Sequence, residues 1–195
     1  MKIRVIVVTI IITVVLAVVL SSIMGRSSNA ELKRTTIIEA AESPKAAVNS
    51  PQTIKAATDF VQKATIGNMF EVESSKIAVD ESKNENIKKF AGMMVEHHSK
   101  VDQDLRATID SSSVDKANVP SQLDEKHAAK IEKLKATKGA EFDNLYIAEQ
   151  KTAHEEAVVL YRNYVAHGED RALSNFATKT LPIIEEHQRQ VQKLK

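Results

Sequence analysis

Six residues in one stretch, Ile87, Ala91, Met94, His98, Val101 and Leu105, recur at steps of four, three, four, three and four. At 3.6 residues per turn this spacing lays them in one stripe along a helix. Five of the six are apolar, so the stripe is the seam of a helix packed against neighbours, and a histidine sits in the middle of it. The pattern occurs three more times. Phe60, Ala64, Gly67, Glu71, Ser74 and Ala78 share a stripe upstream. Downstream, Asp143, Ile147, Gln150, His154, Ala157, Tyr161 and Tyr164 form a third, and Leu173, Ala177, Thr180, Ile184, His187, Val191 and Leu194 a fourth. A chain with four such seams buries them against one another.

Helix boundaries follow from caps and breakers. Ser50-Pro51 reads as an N-cap with proline at the first helical position, opening a helix over residues 51–80. Ser82 with Glu85 reads as a capping box, so a second helix follows almost at once and runs antiparallel to the first. It ends at Ser111-Ser112-Ser113, and a loop through Val119-Pro120 leads to a cap at Ser121 with Asp124 three residues on. A short helix carrying Leu123, His127, Ile131 and Leu134 on one face then ends at Gly139. The last two helices cover residues 140–167, stopping at Gly168, and residue 170 to the end. Pro182 is expected to bend the last one. Gly67 is expected to admit the close approach of a neighbouring helix, since it otherwise costs ~1 kcal/mol relative to alanine. With no competing strand signal, the expected class is all-α: an antiparallel four-helix bundle over residues 51–195 with an extra short helix in the crossover.

The N-terminus speaks to compartment. Lys2 and Arg4 precede an apolar run from Val5 to Leu20 broken only by Thr9 and Thr13. A basic start followed by such a run is an export signal. The run approaches the ~20 residues that span a bilayer, and a small-x-small site, Ser28-Asn29-Ala30, lies beyond it. Residues 1–24 are therefore either a transmembrane anchor or a removed signal peptide, and residues 25–50, with Ser, Asn and Pro44, read as a tether. Either way the domain is expected outside the cytoplasm, in the periplasm or cell envelope, held to the membrane if the segment is uncleaved. The first thirty residues hold three basic residues and no acid, which leaves 24 basic against 26 acidic residues beyond them. That balance, with few aromatics, gives no support to nucleic-acid binding. The absence of cysteine excludes disulfides, thiolate metal sites and a catalytic thiol.

Four polar residues lie on the seams: Glu71, His98, His154 and His187. At ~1.5 Å of rise per residue, Glu71 and His98 both stand roughly 20 Å from the turn joining their helices. His154 and His187 stand roughly 21 and 28 Å from the Gly168 turn, and Asp143 falls about 16 Å below His154, outside the group. Three imidazoles and a carboxylate could therefore converge at mid-bundle, a donor set suited to Zn, Fe, Cu or Ni. A di-iron bundle needs Glu-x-x-His on two helices, and the chain has none; the nearest pattern is Asp124-x-x-His127. The alternative is that these histidines are core residues held by nearby polar groups, His98 by Asp102 and His154 by Gln150, or that they charge in acid and make the fold pH-responsive. His97 lies about 100° off the seam and reads as a boundary residue. His167 suits a helix C-terminus, and Met69, Met93 and Met94 read as core filler. No Ser-His-Asp order, phosphate loop or His-Glu-x-x-His suggests a hydrolase, and no reaction is legible.

Three segments, EVESSKIAVDESKNENIKKFAGMMVEHHSK (residues 71–100), FDNLYIAEQKTAHEEAV (142–158) and FATKTLPIIEEHQ (176–188), resemble in order the motifs of the domain-of-unknown-function 4142 family. The resemblance covers about residues 55–195. It implies a ferritin-like fold and an exported or outer-membrane bacterial protein, and brings no established activity. His98 falls on the histidine of the family's first Asp-His pair, with His97 in place of the acid. His154 falls on that of the second, with Ala153 in place of the acid, and His187 on the histidine after Leu-Pro.

Overall fold

The structure is a computed structural model that describes residues 50–195; the expectations for residues 1–49 lie outside the described residues. Five α-helices follow in order: α1 (Pro51–Glu81), α2 (Glu85–Ile109), α3 (Glu125–Ala136), α4 (Gly139–His167) and α5 (Arg171–Val191), with one 3-10 turn at Lys116–Asn118. Among the described residues there is no strand, and no helix is long and apolar enough to cross a membrane.

Side-chain chemistry fixes the helix ends. The Ser50 hydroxyl accepts from the Thr53 N–H, with Pro51 at the first helical position, so two of the first turn's unpaired donors are dealt with, one by removal. Asp170 caps α5 by accepting from the Leu173 N–H and also accepts from the Ser113 N–H, 2.7 Å away. Two expected caps move. Ser82 closes α1 instead of opening α2; its N–H bonds the Ala78 carbonyl, and Asn84 caps α2 by accepting from the Asn86 N–H. Likewise Asp124, not Ser121, caps α3, accepting from the His127 N–H. In both places the cap lies two or three residues beyond the one the capping spacing predicts. Gly139 has a φ of 63°, a left-handed conformation that favours glycine, and stands at the first residue of α4 beyond the Thr137 cap of α3. A Cβ on Gly168 would lie 2.6 Å from the Tyr164 carbonyl oxygen, so the turn into α5 requires glycine. The last helix continues unbroken through Pro182.

Partner registers define the packing. Ser75 bonds Tyr146 and Phe60 stacks on Tyr164, so α1 and α4 run antiparallel. Asn84 reaches the Lys195 carbonyl while Ser113 meets Asp170, so α2 and α5 do too. The short turn over residues 82–84 reverses α1 into α2, and His154 against His187 with Arg162 against Glu185 reverses α4 into α5. It follows that α2 and α4 point the same way. The α2–α4 connection must therefore traverse the length of the molecule, and α3 lies on that path, packed against α1 and α4. Lys130 pins it, sitting 5.4 Å over the Phe70 ring and 2.6 Å from Glu149.

The core has two apolar sections. One holds Phe60, Val61, Leu105, Tyr161, Leu173 and Phe176; the other holds Phe70, Ile87, Phe90, Met94, Phe142 and Tyr146. On every long helix a buried polar residue separates them: Glu71, His98, His154 and His187. Four helices thus each break an apolar seam at the same level.

One expectation fails on α1. A Cβ on Gly67 would meet nothing within 4 Å, so no neighbour approaches there. Gly67→Ala is therefore expected to stabilise the protein by about 1 kcal/mol through helix propensity alone. A rise in the urea midpoint at unchanged slope is the check; a lower midpoint would mean the space at Gly67 is not free.

Candidate metal centre

Helical periodicity brings the waist residues inward, and hydrogen bonds then fix which atoms face one another. Asn68, one turn before Glu71, holds His98 at two points. Its amide donates to the His98 carbonyl at 3.0 Å, and its Oδ1 lies 2.8 Å from His98 Nδ1. With the amide nitrogen committed to a carbonyl, Oδ1 must accept, so His98 Nδ1 carries the proton and Nε2 keeps its lone pair. His154 Nδ1 donates to the Gln150 carbonyl at 2.8 Å. Its Nε2 is buried without a hydrogen-bond partner. His187 Nδ1 faces His98 Nε2 at 3.1 Å, and its Nε2 faces His97 Nδ1 at 2.9 Å.

The three rings of His98, His154 and His187 form a triangle with centroids 5.1–5.9 Å apart. One ring nitrogen from each can be chosen so that all lie within 4.8 Å of one another. Counted from the helix ends, His167 and Arg171, His154 and His187 stand roughly 20 and 24 Å from the turn, nearer in height than the distances from Gly168 imply. The sequence-derived neighbours do not hold these rings: Asp102 pairs with Arg106 instead of His98, and Gln150 meets His154 through its carbonyl, its side-chain amide bonding Ser74. Asp143 takes no part in the histidine group.

Glu71 stands on the other side of two of the rings. Its Oε2 is 3.1 Å from His98 Nδ1, its Oε1 is 3.6 Å from His154 Nδ1, and Oε1 has no hydrogen-bond partner. It therefore touches the proton-bearing nitrogens and not the lone pairs. Burial pushes the Glu71 carboxyl up to about 8. Burial, then repulsion from His187, His154 and His97, holds His98 well below the usual histidine range. Burial lowers His154 to about 4, and burial with repulsion from His154 and His97 lowers His187 to about 3. At neutral pH Glu71 and the three imidazoles are thus neutral, and the Glu71–His98 approach is a contact between uncharged groups. With His98 Nδ1 protonated, His187 Nδ1 donates to His98 Nε2; moving the His187 proton to Nε2, against His97, would leave one inner nitrogen on each ring for a Lewis acid.

Two members escaped the sequence reading. Asn68 carries no charge and lies three residues before Glu71, a spacing that does place them on one face. His97 is half-buried and joins only because α5 passes on its side of α2; its adjacency to His98 was the one available signal.

The resemblance carried by the three motifs is upheld by the profile of a domain of unknown function (DUF4142), which matches residues 42–194 and so begins within the segment read as a tether. Neither the characterised proteins nor the solved structures gave a match to this chain. The waist histidines all fall inside the matched span, and the chain belongs to the DUF4142 family.

Proposed function

We propose that this protein is an exported, membrane-tethered ferritin-like four-helix bundle that holds one transition-metal ion through His98, His154 and His187. The bundle reading rests on connectivity: two antiparallel helix pairs joined by one long crossover is the arrangement of ferritin-like folds. Export and tethering rest on the basic start and apolar run of residues 1–24.

The observation that carries the metal reading is the meeting of three imidazole nitrogens within 4.8 Å at a waist flanked by apolar packing on both sides. The donor set fits the group. A buried His154 Nε2 without a partner is costly in an apolar surround, and a cation would satisfy it. Tetrahedral nitrogen ligands stand about 3.3 Å apart, so the rings need close by no more than about 1.5 Å. In this reading Asn68 Oδ1 and the Gln150 carbonyl accept from the outer nitrogens of His98 and His154, Glu71 stands beside both, and His97 accepts from the far nitrogen of His187; such outer partners fix ring orientation and raise basicity. Three imidazoles without a bridging carboxylate suit one Zn, Cu, Ni or Fe ion better than a di-iron pair.

The test is metal analysis of protein purified without a polyhistidine tag, beside a variant carrying His98→Ala, His154→Ala and His187→Ala. About one metal ion per chain is expected in the first and none in the second. Equal metal in both would overturn the assignment of ligands, and none in either would leave the histidines as core residues only.

A further inference from the structure

A cleft of about 700 Å³ opens between α1 and α4 beside the start of α3. Glu71 and His98 line it and His154 and His187 do not, so it approaches the waist from the Glu71 side, away from the inner ring nitrogens. Small and aliphatic residues form much of its wall, among them Ala64, Gly67, Ala153, Ala157 and Leu160. Gly67 adds room, because a Cβ there would meet nothing within 4 Å. Of the polar groups at the inner end, Glu71 is the one with an unmet atom. Asn68 spends its side-chain amide on His98, and both His98 ring nitrogens have partners. Glu71 is 3% exposed, and its Oε1 has no hydrogen-bond partner.

We propose that this cleft binds a small neutral aliphatic alcohol, with its hydroxyl on the Glu71 carboxyl and its chain along the small-residue wall. A pocket of this size with apolar walls and one polar anchor is the usual form of a small-molecule site. A buried carboxyl oxygen without a partner is costly, and a ligand that meets it recovers that cost. A hydroxyl is the smallest head that both donates and accepts. It pairs with the carboxyl whether or not the carboxyl carries its proton, so the choice of head does not depend on that charge. A charged head would have to leave water for an apolar wall, at far greater cost. The rim exerts no strong pull on an ion either. Glu156 pairs with Lys126 at 3.4 Å, Asp124 holds His127 at 2.6 Å, and Lys63 and Glu155 add one charge of each sign. Length follows from the α1 wall, which runs from Lys63 to Glu71, about 12 Å of helix and the reach of a chain of roughly eight carbons. Nothing in this site requires an ion at the waist.

The probe is 1-octanol, titrated calorimetrically into the folded protein in chelator, so that the result is independent of any metal. Saturable binding of one octanol per chain is expected, and each methylene added between 1-pentanol and 1-octanol is expected to tighten it about fourfold. Octanoate and octylammonium, of the same length, are expected to bind at least about tenfold more weakly. Gly67→Leu places a side chain in the cleft and is expected to weaken octanol binding at least about tenfold. Gly92→Leu is the matched control, an exposed position on α2 where a Cβ also meets nothing within 4 Å, and it is expected to bind as wild type does. Glu71→Gln keeps a group that donates and accepts and is expected to retain binding, whereas Glu71→Leu is expected to weaken it about tenfold. Melting curves establish that each variant is folded. No saturable binding by folded wild-type protein would overturn the proposal. So would Gly67→Leu binding octanol as tightly as wild type, which would put the site elsewhere, or a charged head binding as tightly as the hydroxyl.

Discussion

Zinc added to chelator-stripped protein is expected to raise its melting temperature by about 10 °C, with the whole gain depending on His154. The site does not exist in the unfolded chain, so binding energy adds to folding energy. At a free metal concentration about a thousandfold above the dissociation constant, the native state gains about 4 kcal/mol. A domain of this size shifts by roughly 2–4 °C per kcal/mol, which gives the expected rise. His154→Gln is the informative variant. It keeps a polar side chain of similar reach at a fully buried position, while the orphaned Nε2 and one vertex of the triangle are lost. Its own melting temperature will fall; the readout is the increment on adding zinc, expected to drop to less than about 2 °C. His127→Ala is the control, because His127 sits on α3 outside the histidine triangle, and its increment should match wild type. An equal increment in His154→Gln would mean that zinc binds elsewhere. Repeating the scan with Ni²⁺, Co²⁺ and Cu²⁺ would rank the ions, where copper is expected to bind most tightly on ligand chemistry alone.

Without metal, stability is expected to peak near pH 6.5 and to fall steeply below it. The signs of the two kinds of group are opposite. His98, His154 and His187 have folded pKa values below that of a free histidine. The unfolded chain therefore takes up protons first as the pH falls through about 6.5, and the folded state loses ground until the folded values are reached, about 4 for His154 and about 3 for His187. Glu71 is raised from 4.5 to about 8, so its contribution is full below 4.5 and is lost as the pH rises through 8. Between 4.5 and 6.5 three histidines oppose one carboxyl, a net preference of the unfolded state for up to about two protons. The expected loss is about 2 kcal/mol from pH 6.5 to 5.5, and more below that. On the alkaline side only Glu71 acts, and the decline is shallower. Urea unfolding in chelator between pH 4.5 and 8 measures the curve. A flat profile from 7 to 5 would mean that the imidazoles are hydrated, and the closed waist would be wrong. Bound metal should suppress the acid limb at first, because protons and metal compete for the same lone pairs, and then steepen it once the ion is lost.

The helices were legible because their signals are local. Ser50-Pro51, Asp170 and Gly168 act on their own turn of chain, and the structure keeps all three where the residues place them. The two shifted caps show the limit of such signals. Ser82 and Ser121 each satisfy a capping spacing, and so do other polar residues close by; which one caps depends on where the preceding helix or loop delivers the chain. Gly67 failed for a related reason. Sequence reveals that a side chain is missing, but whether a neighbour fills the space depends on how α1, α4 and the start of α3 are placed around it.

By itself the sequence determined that Glu71, His98, His154 and His187 point inward, since a 3.6-residue period fixes the side from which a residue leaves its helix. Only the tertiary structure decided what those groups do on arrival. Asn68 sets the tautomer of His98, Glu71 falls behind the rings instead of between them, His97 is drawn in by α5, and His154 is left with a nitrogen that nothing satisfies. Periodicity is a property of one helix, whereas hydrogen-bond partnership is a property of helices meeting at a particular height and rotation, and neither is encoded in the spacing of residues along a single seam.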